Sequence, residues 1–313
     1  MTKSPTNNPI LTIIVLNYNS QDFLKKCLLS IYHSDFPQDK IQILVPDNNS
    51  TDKSLETAQK IKQKNTTFIP LEHNLGFAKA NNLAIKHISP ASKYVLFLNP
   101  DTTVENNTLT SIITFLNKNP DVHAATCYVN LILTNSLQPE CHRGFPTPWN
   151  ALCHFFLPFL PKLFPRSKLF NGYFLGHLDY TKTQKIDACV GAFLVIRKEI
   201  GEKIGWWNEK YFFYGEDLDL CYKLKRHNFN LYFYPHCQIH HYQGFASGIV
   251  AKTAKKSAAS RETRIRSALA STQAMRIFYQ ENLIRLYPHS LRWLVWTGIK
   301  LLETYRIFKA KFL

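Results

Sequence analysis

Five side chains in this sequence have the types and settings to do chemistry together. Asp101 ends the run Leu96-Phe97-Leu98-Asn99-Pro100-Asp101, Glu216 and Asp217 sit in Tyr214-Gly215-Glu216-Asp217-Leu218-Asp219, and His240 and His241 are adjacent. The apolar residues Tyr94 to Leu98 read as a buried strand that Pro100 cannot extend. Asp101 is therefore expected at the C-terminal edge of a parallel sheet, the edge where open α/β sheets bind ligands. A carboxylate there suits a divalent cation held over a pyrophosphate. The competing reading is a turn aspartate that caps the next helix. Glu216 and Asp217 fall on the first turn of an expected helix, where the dipole favours carboxylates whether or not they are catalytic. The histidines are read either as ligands or as surface and structural residues.

The elements that must position these groups alternate. Strands are expected at Ile10–Leu16, Ile41–Val45, Thr67–Pro70, Tyr94–Leu98 and Val122–Val129. Helices are expected after Ser20, near Lys53–Lys64, Ala78–Ile88 and Glu105–Asn117. This β-α alternation predicts an α/β, Rossmann-like, doubly wound and mostly parallel sheet with helices on both faces. There is no G-x-G-x-x-G after the first strand and no Walker lysine loop. The pattern breaks over residues 130–186, where LCHFFLPFLPKLF (152–164) reads as an interface-dipping loop, a pocket lid, or an ordinary insertion. Order returns with a strand at Asp187–Ile196, whose Gly191 suggests close backbone approach, and a last strand at Asn230–Tyr234.

The chain has 313 residues, 45% of them hydrophobic, enough for a sizeable core. Its net charge of +16 suits anionic partners, and +10 of that lies in residues 251–313. Within that region Lys252–Arg266 reads as a mobile basic loop. Residues 268–313 read as a cationic helical extension bearing Trp293 and Trp296, with the character of a helix lying in a membrane interface; packing on the domain or on a second copy is the alternative. Seven cysteines, an odd number with no C-x-x-C, indicate neither a zinc knuckle nor a disulfide framework and fit a reducing compartment. Met1–Pro9 lacks the apolar core of a signal peptide, and no stretch is long and apolar enough to span a bilayer.

Six stretches resemble, in order, the motifs of family 2 glycosyltransferases with the GT-A fold, in the rhamnosyltransferase-like branch. They are Ile13-Ile14-Val15-Leu16-Asn17-Tyr18-Asn19, Val45-Pro46-Asp47-Asn48-Asn49-Ser50-Thr51-Asp52, Asn74-Leu75-Gly76-Phe77-Ala78-Lys79-Ala80-Asn81-Asn82, the Asp101 stretch, Tyr214 to Cys221, and His240-His241. Together they cover roughly residues 10 to 250, and six motifs in register are far more specific than any one. The resemblance implies a GT-A domain over 1–250, with 130–186 as an acceptor-side insertion, followed by a basic loop and amphipathic tail over 251–313.

It also implies roles. Leu16, Tyr18, Asp47, Asn48, Asn74, Gly76, Asn81 and Asn99 would line the nucleotide-sugar site. Many relatives carry two acids at the Asp47 turn; here the second is Asn48, a departure that bears on the base contact expected there. Asp101 matches the last acid of the D-x-D-type motif, whose first acid is replaced by Asn99, so a lone carboxylate would hold Mg²⁺ or Mn²⁺, with His240 or His241 as a second ligand. Asp217 matches the catalytic base, with Glu216 beside it, and one base without a nucleophile implies inversion. The aromatic setting of Trp206, Trp207, Tyr211, Phe212 and Phe213 is expected to raise that base's pKa. The implied donor is dTDP-rhamnose or a UDP-sugar, and the acceptor a glycan or glycolipid. The implied place is the cytoplasmic, inner face of an anionic membrane, with no nucleic-acid partner. The rivals are a same-fold nucleotidyltransferase, which would want a glycine- and lysine-rich phosphate loop, and a non-catalytic basic module that binds membrane or nucleic acid.

Overall fold

The computed structural model describes residues 8–61, 64–243 and 261–312. The first seven residues, positions 62–63 of the expected second helix, and 252–260 of the expected basic loop lie outside these.

The first half follows the alternation. β1 (Leu11–Val15) and β4 (Tyr94–Leu98) are buried at every position, as continuous apolar runs in a central sheet should be. β1 pairs in parallel with β2 (Ile41–Asp47) on one side and β4 on the other, and β2 pairs in parallel with β3 (Thr66–Pro70). The intervening helices are α1 (Phe23–Tyr32), α2 (Ser54–Gln59) and α3 (Phe77–Ile85).

Beyond β4 the sheet is mixed. Pro100 stops β4 as expected, but the chain turns at once into a short strand, β5 (Thr102–Val104), before α4 (Thr108–Lys118) and β6 (Ala124–Leu131). After the two-residue β7 (Ser136–Leu137) come α5 (Pro148–Ala151), α6 (Phe159–Leu163) and β8 (Gln184–Ile186). The strand expected over 187–196 is only β9 (Phe193–Arg197), because the residues before it turn their backbone hydrogen bonds to the 140–143 segment, with Ala188 bridged to Arg143 and the Val190 N–H donating to the Glu140 carbonyl. β9 enters between β4 and β6, antiparallel to both. The strand order is β3-β2-β1-β4-β9-β6-β10-β5; pairing is parallel across its first four strands and again between β6 and β10, as expected, and antiparallel where β9 and β5 join.

α7 (Lys198–Ile204) and α8 (Glu216–Arg226) precede β10 (Leu231–His241), which is longer than expected. Its pairing with β6 slips between Tyr234 and Gln238, around Pro235, a residue that cannot donate to a ladder. The strand then continues through both histidines and pairs with β5, setting His241 opposite Thr102.

The C-terminal region forms two helices, α9 (Arg261–Phe278) and α10 (His289–Phe312), broken near Pro288. α9 starts inside the stretch expected to be a loop. Ala274, Phe278, Tyr279 and Leu283 belong to the same apolar cluster as the central strands, so this part of the tail is core. Among the described residues, no helix is long and apolar enough to cross a membrane.

Candidate active site

Asp101 follows β4 by three residues, and β10 brings His241 to it. His241 Nε2 lies 3.2 Å from Asp101 Oδ1, and the Tyr242 N–H donates to the Asp101 carbonyl at 3.0 Å. Burial by itself would raise the Asp101 pKa, but the adjacent His241 outweighs it and holds the carboxyl below its ordinary value. The other ring nitrogen of His241 lies 2.7 Å from Gln138 Oε1, a carbonyl that only accepts. With Nδ1–H donating to Gln138, Nε2 either carries a second proton that it donates to Asp101, the charged form that lowers the carboxyl, or turns its lone pair toward a cation shared with the carboxylate. Two acceptors this close need a proton or a cation between them.

Ligands about 2.1 Å from one octahedral ion stand about 3.0 Å apart, so this spacing suits two neighbouring metal ligands. Among the described residues, no group of three or more His, Cys, Asp or Glu side chains is placed to hold a metal, so this pair offers two protein donors. His240, by the two-residue alternation of a strand, points elsewhere: its Nε2 meets Glu105 at 3.2 Å and its Nδ1 lies 3.3 Å from Asn130. The sequence leaves open which histidine joins Asp101; here His241 reaches it and His240 does not, so His240 drops from the candidate ligands.

The expected nucleotide residues divide into two sets. Tyr18 is 41% exposed, and Leu16, Asn74 and Asn99 are half-buried. Asp47, Asn48 and Asn81 are nearly fully buried, with their polar atoms used inside the protein. Asp47 accepts from the Asn17 amide at 2.6 Å, the Ser50 hydroxyl at 2.7 Å and the Ser50 N–H at 3.0 Å. Asn48 accepts from the Leu75 N–H at 3.0 Å and donates to the Gly76 carbonyl at 3.1 Å. A carboxylate in place of Asn48 could not make the second bond, which gives a physical reason for the departure from the two-acid pattern. Asn81 donates to the Phe77 carbonyl within its own helix. The structure thus makes Asn48 and Asn81 brackets for the loop Asn74–Phe77, not residues facing the cleft. Gly76 has φ +78°, and an added Cβ would collide with the Phe212 carbonyl oxygen, so only glycine lets this loop meet the segment before α8.

That segment ends in Tyr214 and Gly215, both with positive φ, and delivers Glu216 and Asp217 at the start of α8. Gly215 is closely overpacked by α9: its Cβ would be 3.0 Å from that of Ala274. Asp217 Oδ2 accepts from Arg143 Nη2 at 2.8 Å and from the Gly191 N–H at 3.3 Å, while Oδ1 accepts from the Leu218 N–H at 2.7 Å. The immediate partner of Asp217 is therefore a guanidinium, not the aromatic wall of the sequence-based expectation. The carboxyl that is raised belongs to Glu216, pushed up to about 8 by burial and by the charge of Asp217. Its Oε2 has no hydrogen-bond partner. Asp219, two residues beyond Asp217, accepts from Asn282 at 2.8 Å and from the Tyr211 hydroxyl at 3.3 Å.

The two acidic centres share one sheet edge. The Asn99 N–H donates to the Ala192 carbonyl at 3.1 Å, and the neighbouring Gly191 touches Asp217. Gly191 sits in ordinary contact, its virtual Cβ 3.8 Å from Asp217 Cβ, so a side chain there would only abut the carboxylate. Arg143, Asn17, Gln138 and Asn282 are site residues that sequence reasoning misses. Asn17 lies inside one of the six motifs; Gln138 and Arg143 stand in a stretch with no periodicity, and Asn282 lies in the expected helical tail, so these three reach the site only through the fold.

A two-centre edge of this kind, on a sheet whose first half is parallel and second half mixed, defines a glycosyltransferase of the GT-A type. Solved structures agree on the fold. A mannosyltransferase from Pyrobaculum calidifontis, solved with GDP-mannose and Mn²⁺, aligns with TM-score 0.55 at 16% identity over 97% of this chain and 88% of that one. GalNAc-T7, solved with UDP, GalNAc and Mn²⁺, aligns at 0.56 and 14% identity over 74% of this chain and 44% of that one. The family model for glycosyl transferase family 2 matches residues 12–205, more than half of the chain, and the chain belongs to that family. It is 25% identical to the rhamnosyltransferase WbbL of Escherichia coli K12, over 74% of this chain and 82% of that protein. It is 22% identical to the N-acetylglucosaminyl-diphospho-decaprenol L-rhamnosyltransferase of Mycobacterium tuberculosis, over 76% of this chain and 78% of that one.

Proposed function

We propose that this glycosyltransferase moves a hexose, with dTDP-rhamnose the first donor to test and UDP-sugars next, to a hydroxyl of a lipid-linked or polysaccharide acceptor, with inversion. The observation that carries this is the pairing of a lone Asp101–His241 centre with Asp217 on the same edge. The acceptor O–H bond breaks and its proton passes to the Asp217 carboxylate. The oxygen bonds the anomeric carbon, and the bond from that carbon to the diphosphate breaks with its electron pair leaving on phosphate. Asp101 and His241 would hold a divalent cation, which when bound neutralises the leaving diphosphate. An imidazole in the donor set is more at home on Mn²⁺ than on Mg²⁺, which prefers oxygen ligands. Glu216, carrying a proton at neutral pH, is a hydrogen-bond donor beside the base. The two rhamnosyltransferases named above support the donor, and the diphospho-decaprenol substrate in the second name supports a lipid-linked acceptor.

A place at the surface of an anionic membrane, on its cytoplasmic side, fits α10. Leu294, Leu301, Tyr305, Phe308 and Phe312 are each more than half exposed. At about 100° per residue they fall within an arc of about 60°, while Ile299, Leu302 and Glu303 bury the opposite side. Lys309 and Lys311 flank this stripe. α10 also touches the insertion, where Phe156 lies 3.6 Å from the virtual Cβ of Gly298 and Phe159, Leu163 and Leu169 are exposed beside Lys162, Arg166 and Lys168. An apolar stripe edged by cations is what an anionic lipid surface takes up.

The test is release of nucleoside diphosphate from a panel of nucleotide-sugars with and without Mn²⁺. Slow release by the native chain, cut at least ~100-fold in both Asp101→Asn and Asp217→Asn, is expected. Full activity in either variant would refute the reading. For the membrane, Leu301→Glu with Phe308→Glu should abolish sedimentation with phosphatidylglycerol vesicles while hydrolysis continues.

A further inference from the structure

Asp217 must be ionised to take a proton, yet it is buried next to a second carboxyl. Glu216 shows what that setting does to an acid without a cation: it keeps its proton at neutral pH. Asp217 differs in its direct partners: the guanidinium of Arg143 on Oδ2 at 2.8 Å, the one charged group it touches, and the backbone N–H groups of Gly191 and Leu218, with both side chains of the ion pair only about a tenth exposed. Arg143 comes from the insertion, 74 residues earlier in the chain. Its backbone is clamped to Ala188 by two hydrogen bonds of 2.8 Å, so its Cα is fixed against the sheet. The other titratable groups that act on this pair are the Tyr173 phenol, the Cys189 and Cys221 thiols and the Glu140 carboxyl, which acts on Arg143 more weakly than Asp217 does. One cation thus serves two adjacent acids, and it is aimed at only one of them.

Resting on the base assignment above, we propose that Arg143 is a positioning residue for the transfer: it selects Asp217 over Glu216 as the ionised carboxylate and fixes its rotamer. Oδ2 is held by Arg143 and Gly191, and Oδ1, with a single backbone donor, is the oxygen that receives the acceptor's proton. A planar fork on a clamped backbone does this better than a flexible ammonium. The insertion, by this account, is part of the machinery and not only a cover.

The experiment compares the native chain with Arg143→Gln, Arg143→Lys and Asp217→Asn, using Mn²⁺-dependent hydrolysis of dTDP-rhamnose, or of the UDP-sugar that the panel selects, from pH 5 to 9. Arg143→Gln should lose at least ~10-fold in kcat at pH 6.5, with donor KM changed less than about twofold. The acid limb of its rate profile should move up by about one pH unit. Arg143→Lys should keep the native acid limb and lose several-fold in kcat. Guanidinium added to Arg143→Ala should restore part of the rate. A folded Arg143→Gln with the native acid limb overturns the proposal, as does a change confined to donor KM. If Arg143→Gln does not fold, Arg143→Lys decides: native kcat, or an acid limb shifted upward, overturns it. Asp217→Asn separates the two ideas, because full activity there removes the base assignment, whereas its inactivity beside an unaltered Arg143→Gln removes only the role of Arg143.

Discussion

The two sides of the cleft are built by different means. On the side built by residues 10–101, where the nucleotide contacts are proposed, most buried polar groups bond to backbone or to side chains brought up by neighbouring parallel strands. Asn17 and Asp47 stand on adjacent strand ends, and Asn48 grips the loop that follows β3. On the base side the groups come from three remote segments. Arg143 comes from the insertion, Asp217 and Asp219 from α8, and Asn282 from beyond α9. The first side is a rigid frame made by local turns. The second is a convergence of long-range contacts, and its acids sit in deeper electrostatic tension.

Gly76 is where the two sides touch, and the largest effect is expected there. The Phe77 N–H donates to the Phe212 carbonyl at 2.9 Å, and the left-handed Gly76 lets that carbonyl approach. Gly76→Ala combines a positive-φ penalty with a backbone clash and should cost about 3 kcal/mol or more. Chemical denaturation would measure it. Because the loop Asn74–Phe77 and the turn before α8 move together, donor binding and turnover should fall jointly. A variant with native stability, or with only one of the two properties changed, would show that the sides are independent.

The second comparison is of pH response, with an effect on the order of a few kcal/mol. Glu216 titrates near 8 in the folded chain instead of its ordinary 4.5. Between these values the unfolded chain has released the proton and the folded chain keeps it. Stability should therefore decline as pH rises through that window and level off above about 8. Glu216→Gln should flatten this decline in melting curves taken from pH 5 to 9. Two insertion histidines work in the opposite sense. Burial pushes His142 and His154 down to about 4 from 6.5, so their contribution is present above 6.5 and is lost as pH falls toward 4. Hydrogen exchange at pH 5 should show residues 141–175 opening before β1, β2 or β4. Uniform opening would contradict the contrast between the two sides.

The same contrast explains what can be read from the chain. β1, β2 and β4 are continuous apolar runs ended by Asn, Asp and Pro, so strand, edge and the position of Asp101 follow from periodicity and turn chemistry. The entry of β9 between β4 and β6 is not legible, because short apolar runs look alike whether they pair parallel or antiparallel: Phe193–Arg197 carries no mark of its direction. His240 and His241 are equivalent as residue types. Only the continuation of β10 past its irregularity at Pro235 decides which of them faces Asp101. Arg143 lies in Glu140-Cys141-His142-Arg143-Gly144, a stretch whose partner is 74 residues away. The tail is amphipathic in sequence, yet its first helix is core, since nothing in an apolar face says which surface will cover it.

The smallest effect concerns that tail. Removing residues 268–313 to test membrane binding would also strip Phe278, Tyr279 and Leu283 from the core, so a loss of activity there would carry no information about lipid. A narrower cut is available at Asn282, whose amide donates to Asp219 Oδ1 and whose carbonyl accepts from the Tyr222 hydroxyl at 3.2 Å. Asn282→Ala removes only the amide. Asp219 Oδ2 already lacks a hydrogen bond, and Oδ1 would keep only the 3.3 Å contact with Tyr211. The expected cost is about 1–2 kcal/mol, seen as a few degrees in the melting temperature. Since Asp219 is about half a turn behind the base, kcat should fall modestly while donor KM and vesicle binding stay native. A change in vesicle binding instead would mean that this turn holds the lipid-facing helix in place, and that the base side and the membrane face are one mechanical unit.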